Sequence, residues 1–377
     1  MKAGLTATVV QGGRSGVAQY VFSLIRELVK IDDVDLTVYA LEDELPLFEF
    51  AKDDCRIVSV SRKAASPVQN IIWHQFELPK LAAAHGLDVI HVPSYRRLVR
   101  SASVPTVGTI HDLAPFHVSG KYDMARMFYG RVVVKRLARM QKELIAVSHF
   151  TAQDIERFFG IPAAEVTVIH NGIDHHRFKQ GAVESSREWM AETHGVDAPF
   201  FLYVSRLEHP GKNHVRLIEA FDLFKRETGG DWQLVLGGGD WHGSEAIHEA
   251  AERSEFSADI RFLGFVPDED LGGIYRASRC MVYPSLFEGF GLPPVEAMAC
   301  GTPVISSTRG ALEEVVADAA LTVDPEDVED MAKALVRVAT DEAFVAELTR
   351  RGLENAARFR WENTAAEVAE VYRRVVR

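Results

Sequence analysis

Two glutamates, Glu288 and Glu296, stand eight residues apart in the run LFEGFGLPPVEAMACGTPVISS, residues 286–307. Carboxylates so spaced can serve as acid and base on one bond, or can each grip a different part of one ligand. The residues around them suggest the backbone that presents them. RCMVYPS reads as a strand, the proline pair opens a short helix, and Gly301 stops it before the next strand, TPVIS. Glu288 then lies in a loop at a strand's C-terminal end, and Glu296 in the first or second turn of the following helix. An acid near a helix N-terminus is stabilised by ~0.3–1 kcal/mol through the dipole alone, and an exposed loop acid needs no special cause. Neither explanation accounts for the backbone amides that Gly289, Phe290, Gly291 and Leu292 place beside both acids.

Other polar groups also fall where strands should end. TIHDLAP sets His111 and Asp112 after a strand, where a histidine can hold a substrate, polarise a hydroxyl, or simply be a hydrogen-bonded structural residue. VSRLEHPGKN sets Arg206 and Lys212 around a Pro-Gly turn ahead of a helix. Two such cations suit a diphosphate, although two solvated surface charges would read the same. QGGRSGVAQY leads Gly12, Gly13 and Gly16 into a helix, a pattern that lets a backbone approach an anion. Its GGxxG spacing is not the dinucleotide fingerprint, and a tight turn would give the same residues. His170, His175 and His176 in HNGIDHHRF lack a metal-ligand spacing.

The elements that must position these groups come in two similar halves. LTATVV, VDLTVYA, LDVIHV, VPTVGTI and ELIAVS read as strands. GVAQYVFSLIRELVK and NIIWHQFELPKLAAAHG read as helices between them, and a long irregular piece follows Ala40. TAQDIERFFG reads as a helix capped by Thr151 and stopped by Gly160. The alternation restarts after residue 198 with PFFLYVS, a helix capped by Asn213, then WQLVLGG, IRFLGFV, RCMVYPS, TPVISS and ALTVD. Strands alternating with helices imply parallel sheets covered on both faces, whose ligands sit at the strands' C-terminal ends. The polar run 174–199 is the expected seam. Helices near 325–338 and 341–358, then WENTAAEVAEVYRRVV, complete the chain.

Bulk properties narrow the function class. A chain of 377 residues favours two domains. Its 47% apolar and 25% charged composition is that of a globular protein, and its net charge of −12 argues against a general nucleic-acid binder. Cys55, Cys280 and Cys300 are too few and too scattered for a disulfide framework or a zinc site, which fits a reducing cytosol. No apolar run is long enough to span a bilayer. Against the acidic whole, residues 121–142 hold seven basic residues and one acid, Asp123. Arg131, Lys135 and Arg139 are spaced to line one helix face, which could be a solvated surface or a contact to an anionic membrane.

The run from Glu288 to Val304, together with GGRSGVAQY, HDLAP, VSHFTAQDI, HNGID, VSRLEHPGKN, FLGFVPDEDL and WENTAAEVAEVY in that family's order, resembles the retaining glycosyltransferases of family four. The resemblance implies the α/β GT-B architecture, two Rossmann-like, doubly wound parallel-sheet domains facing across a cleft. Residues 1–180 would form the acceptor domain, completed by a returning helix at 361–377, and residues 181–360 the nucleotide-sugar donor domain. By that pattern Arg206 and Lys212 hold the diphosphate and stabilise it as it leaves. Glu288 binds the donor sugar's hydroxyls and Glu296 the nucleotide's ribose. The backbone of Gly289, Phe290, Gly291 and Leu292 meets phosphate or sugar, and the backbone at Val266 the base. Gly12, Gly13 and Gly16 let the first domain close over the donor, and His111 lies near the transferred sugar. One departure is that Arg14 and Ser15 stand before Gly16, where the family keeps its glycines closer.

WHQFELPKL, HDLAPF and VSHFTAQDI look most like bacterial mannosyltransferases of surface-polysaccharide assembly, which favours GDP-mannose as donor over UDP-glucose or UDP-N-acetylglucosamine. No cofactor or metal is expected, since fixed cations and helix amides can stabilise the departing diphosphate. The expected partners are the nucleotide-sugar and a glycan or lipid-linked acceptor, with no nucleic acid. The expected location is the cytoplasm, with segment 121–142 offering a contact to the inner face of the cell membrane. The rival readings are a nucleotide-sugar 2-epimerase on the same fold, which would form product without acceptor, and a non-catalytic nucleotide-sugar binder.

Overall fold

Apolar runs bounded by turn residues become two all-parallel sheets in the computed structural model, which describes residues 1–13, 15–100, 102–117 and 129–377. The chain divides into two units, Met1–Gly172 with Trp361–Arg377, and Ile173–Arg360. The division falls just ahead of the polar run 174–199. Residues 173–177 are held within the second unit, where Ile173 N donates to Phe359 O (3.1 Å) and Arg177 pairs with Asp268 (3.1 Å).

The first unit contains β1 Lys2–Thr6, β2 Asp35–Leu41, β3 Arg56–Val60, β4 Val89–Val92, β5 Thr106–Ile110, β6 Glu143–Ala146 and β7 Thr167–Val168. Their order is β3-β2-β1-β4-β5-β6-β7, so the direction of winding reverses between β1 and β4. Its helices include α1 Gly16–Leu28, α2 Pro67–Ala84, α3 Lys135–Ala138, which continues a π-helical turn Tyr129–Val134, and α4 His149–Asp154, besides a single turn at Ala114–His117. One face of the sheet packs on α1, which buries Tyr20, Val21, Leu24, Ile25 and Leu28. The C-terminal helix of the chain joins that same core through Trp361, Val368 and Tyr372.

The second unit contains β8 Phe200–Val204, β9 Gln233–Gly237, β10 Ile260–Gly264, β11 Cys280–Tyr283, β12 Val304–Ser307 and β13 Leu321–Val323. Its order is β10-β9-β8-β11-β12-β13, with the reversal between β8 and β11. Its helices are α5 Val183–His194, α6 His214–Thr228, α7 Ser244–Arg253, α8 Asp268–Ala277, α9 Leu292–Ala299, α10 Leu312–Val316, α11 Val328–Thr340 and α12 Glu342–Ala356; α13, Trp361–Val376, then returns to the first unit.

The local expectations that fail do so for identifiable reasons. β1 begins at Lys2 and ends at Thr6, not at Val10. The irregular piece after Ala40 holds β3, which pairs along its length with β2. Ser148, not Thr151, caps α4, its hydroxyl accepting from Thr151 N at 3.0 Å. Asn213 stands at the start of α6 in the left-handed region (φ 62°), and its side chain makes no cap. It donates instead to Pro284 O (3.1 Å) and Pro325 O (2.6 Å), tying three loops together. Of the basic segment, residues 121–128 lie outside the described residues. The π-helical turn changes the spacing over the rest, leaving Arg131 and Arg139 exposed and Lys135 half-buried.

Candidate functional site

Parallel strands put all their C-terminal ends on one edge, and the reversal in winding leaves a crevice there. In the second unit that point lies between β8 and β11, which pair through Phe201–Cys280 and Leu202–Met281. The loop after β8 carries Arg206 and Lys212, and the loop after β11 carries Glu288. The two loops are stitched by backbone, Leu286 N donating to Gly211 O at 3.0 Å.

The side chains meet across that stitch. Lys212 Nζ donates to Glu288 Oε1 at 2.5 Å, and Tyr283 OH donates to the same oxygen at 3.0 Å. Tyr203 OH donates to Lys212 O at 2.7 Å, and its ring meets Tyr283 edge-on at 5.3 Å. Both tyrosines lie in the last residues of their strands and are buried. Two buried rings thus fix a lysine and a carboxylate at adjacent strand ends, and hydrogen bonds to charged groups of this kind contribute ~1.5–3 kcal/mol each. Arg206 is exposed on the same loop. Its guanidinium lies 5.0 Å over the Trp241 ring and 3.4 Å from the buried carboxylate of Glu208.

Gly310 makes room for Glu288. Its φ is 67°, and a Cβ there would fall 2.5 Å from Glu288 O, while the next residue, Ala311, donates its N–H to that oxygen at 2.9 Å. Gly291 is constrained in the same way, with φ 93° and a Cβ position 2.4 Å from Leu312 Cδ2. It precedes α9, whose Pro293 and Pro294 occupy the first turn. Gly289, Phe290 and Gly291 are buried, not the exposed strip that the sequence suggests, because the Phe290 ring turns inward onto Phe359 at 5.6 Å. Leu292, the first residue of α9, is half-buried.

Glu296 does not touch Glu288. It lies on α9, and Tyr275 OH from α8 donates to its Oε2 at 3.0 Å. Burial pushes its carboxyl up to about 7, partly opposed by the Tyr275 bond. Each acid therefore has its own tyrosine. Val266 lies beyond the end of β10, where Gly238 N donates to Gly264 O at 2.7 Å; its side chain covers Gly237 at the end of β9, where a Cβ would fall 3.2 Å from Val266 Cγ2, and the neighbouring Phe265 ring is exposed.

The remaining sequence candidates belong to the first unit. Gln11, Gly12 and Gly13 form a turn with three successive positive φ values (48°, 72° and 84°). Gly12 N donates to Glu44 Oε1 at 2.7 Å, and burial raises the pKa of that carboxyl. Gly16 is the first residue of α1, and Ser15 caps the helix by accepting from Ala18 N at 3.1 Å. The interposed serine is thus the helix cap, and Arg14 lies outside the described residues. His111 follows β5 and its Nε2 lies 3.2 Å from Pro93 O. A carbonyl only accepts, so Nε2 carries the proton and Nδ1 offers a lone pair. Burial lowers the pKa of the ring to about 4, so it is neutral at pH 7. Behind it runs a buried chain: Tyr20 OH to Thr109 Oγ1 (3.3 Å), Thr109 Oγ1 to His91 Nε2 (2.7 Å), His91 Nδ1 to Tyr372 OH (2.7 Å). Tyr20 also meets the His111 ring edge-on at 4.7 Å.

A fixed cation–carboxylate pair at a switch point, followed by a glycine-started helix, is an arrangement for holding an anionic, hydroxyl-bearing ligand. Comparison with known proteins agrees. The family described as "Glycosyl transferases group 1" matches residues 186–359, and "Glycosyltransferase Family 4" matches residues 14–177. The chain belongs to glycosyltransferase family four. O-antigen chain mannosyltransferase B of Escherichia coli is 29% identical to this glycosyltransferase, over 95% of its chain and 96% of the relative. D-inositol 3-phosphate glycosyltransferase 2 of Catenulispora acidiphila is 28% identical over 97% and 91%. Sucrose-phosphate synthase from Thermosynechococcus elongatus superposes with a TM-score of 0.79 over 99% of this chain and 98% of that one, at 21% identity, showing the shared GT-B fold.

Four residues of the glycosyltransferase site carried no sequence signal: Tyr275, Tyr283, Glu208 and Gly310. Tyr275 and Gly310 act across long sequence gaps, while Tyr283 and Glu208 pair with residues five and two positions away, contacts that residue type alone does not mark. The titration of Glu296 gives a first test. The family pattern has a ribose hydroxyl donate to this carboxylate, and on that pattern affinity for the nucleotide-sugar donor should fall roughly three- to tenfold from pH 8 to pH 6 as Glu296 takes up its proton. The donor's diphosphate is a diester and does not titrate in this window. Titration calorimetry at the two pH values checks it, and Glu296→Gln should flatten the dependence. For stability the sign is opposite: the raised pKa favours the folded state below about pH 4.5, and that advantage is lost as pH rises to about 7.

Proposed function

We propose that this glycosyltransferase moves a mannosyl residue from GDP-mannose to a hydroxyl of a glycan or lipid-linked acceptor, with retention of configuration, in the synthesis of a surface polysaccharide. The observation that carries the transfer reading is the Lys212–Glu288–Tyr283 cluster at the β8/β11 switch point, with Arg206 on the same loop. The mannose assignment is supported by the relative that acts on an O-antigen chain. In this reading Arg206 and Lys212 neutralise the departing diphosphate and the N-terminus of α9 adds its dipole. Glu288 holds the sugar, Glu296 the ribose, and the exposed Phe265 next to Val266 offers a face to the base. His111, neutral and with a free acceptor nitrogen, receives a hydroxyl of the transferred sugar. Same-face substitution lets a donor phosphate oxygen take the acceptor's proton, so no side-chain base is required.

Since the stabilising charges are fixed side chains, the enzyme needs neither metal nor cofactor. Thermal-shift screening against GDP, UDP, ADP and their sugars tests the donor: GDP-mannose should give the largest stabilisation, and a larger shift with a UDP-sugar would replace the assignment. Activity should survive EDTA unchanged; strict dependence on a divalent ion would remove the cation-clamp account. A second reading, transfer to a small phosphorylated polyol, is favoured by the inositol-phosphate relative. Product formation from inositol phosphate and not from a mannan primer would select it.

A further inference from the structure

We propose that Trp241 is a positioning residue for Arg206, holding its guanidinium at the strand-end edge of the second unit before a diphosphate arrives. The inference rests on the reading of Arg206 as part of the diphosphate clamp. The two cations of that clamp are held differently. Lys212 is fixed by buried groups: Glu288 accepts from its ammonium group and Tyr203 donates to its carbonyl. Arg206 is exposed, and its contact to the buried Glu208 carboxylate, 3.4 Å from Nη2, is too long to fix a flexible side chain alone. Trp241 supplies the second hold, its ring centroid 5.0 Å from the guanidinium carbon.

The fold itself sets the ring there. Arg206 lies in the loop after β8 and Trp241 in the loop after β9. Past the strand ends the two loops continue side by side, with Leu207 N donating to Gly239 O, Trp241 N to Leu207 O and His209 N to His242 O, each at 3.0 Å. Where they begin, Gly238 passes so close to Ser205 that a Cβ would overlap the Ser205 carbonyl. Asp240, the acid of the second loop, is engaged by His248 Nε2 of α7 at 2.8 Å, so a ring and not that carboxylate lies against Arg206.

A ring suits a cation that must also bind phosphate. A second carboxylate at hydrogen-bonding distance would occupy the guanidinium N–H groups and cancel its charge. An indole face attracts the cation through its quadrupole and takes up none of the in-plane N–H groups, which stay available to phosphate oxygens. Restricting the side chain beforehand also lowers the ordering cost of binding. Trp241 is 54% exposed, so its ring contributes little to the core and can be replaced without loss of the fold.

Titration calorimetry with GDP and with UDP tests the role, because the clamp meets the diphosphate whichever base the donor carries. Arg206→Ala should weaken binding about tenfold or more. Trp241→Ala should weaken it about three- to fivefold at an unchanged melting temperature. Trp241→Phe keeps an aromatic face and should stay within about twofold of the wild type, whereas Trp241→Leu, with bulk but no such face, should match Trp241→Ala. The phenylalanine and leucine variants serve if the alanine variant is misfolded. In an Arg206→Ala background, Trp241→Ala should cost nothing further. Wild-type affinity in Trp241→Ala beside a weakened Arg206→Ala would overturn the inference and leave the clamp standing. An equal loss with Arg206 present or absent would also overturn it, since the ring would then meet the ligand itself. Wild-type affinity in Arg206→Ala would remove the clamp, and the role of Trp241 with it.

Discussion

Glu288→Ala is expected to lower kcat by about 10²–10⁴-fold while the protein remains folded. The reason lies in how the carboxylate is held. Lys212 and Tyr283 both bond Oε1, which fixes the carboxylate at the two strand ends. An alanine removes the carboxylate proposed to accept from the sugar and also leaves Lys212 without its partner. Both side chains of the pair are about 15% exposed, so the unpaired lysine costs about 1–3 kcal/mol of stability, enough to be seen in melting but not to unfold a domain. Glu288→Gln separates the two effects. It keeps the shape and most of the packing, so its melting temperature should lie nearer the wild type, while its turnover stays low because an amide is a weaker acceptor and pairs poorly with lysine. Near-normal turnover in a folded Glu288→Ala protein would take the sugar-binding role away from this residue.

The placement of Glu288 and Glu296 on a loop and a helix was legible in the sequence because strand, glycine turn, proline pair and stop are each local signals. The same holds for Lys212 and Arg206 at a strand end. What was not legible depends on residues meeting across the fold. Tyr283 ends one strand and Tyr275 lies in the last turn of a helix, and nothing in the spacing says that each would hold one of the two acids. Gly310 follows another strand, and its need to be glycine arises only because Glu288's backbone passes there. Local signals also misled. Asn213 is a good cap by type, but its left-handed backbone turns the side chain toward Pro284 and Pro325. β3, RIVSV, follows the polar run KDDC and is partly exposed, so it lacks the apolar continuity that identified the central strands. β7 has two residues, too short to carry a pattern. The GFG segment showed the reverse error: its breakable residues allow a buried turn, not an open one.

Lys212→Ala should weaken binding of the free nucleoside diphosphate about 10- to 100-fold and lower kcat as well. An ammonium group has three protons. One is directed at Glu288 Oε1, leaving the others for phosphate oxygens, so in the proposed reading Lys212 bridges the carboxylate and the leaving group without giving up either. This makes the two residues one unit. A double-mutant cycle reads the coupling: Lys212→Ala/Glu288→Ala should lose far less turnover than the two single losses multiplied together, because either change already breaks the pair. For binding of the free diphosphate the pattern differs. Glu288→Ala removes a negative neighbour and should weaken affinity little or raise it, whereas Lys212→Ala removes the cation itself. Calorimetry with GDP on the four proteins distinguishes the cases. Strictly multiplicative losses in turnover would mean that lysine and glutamate act on the donor independently, and that their contact at 2.5 Å is structural.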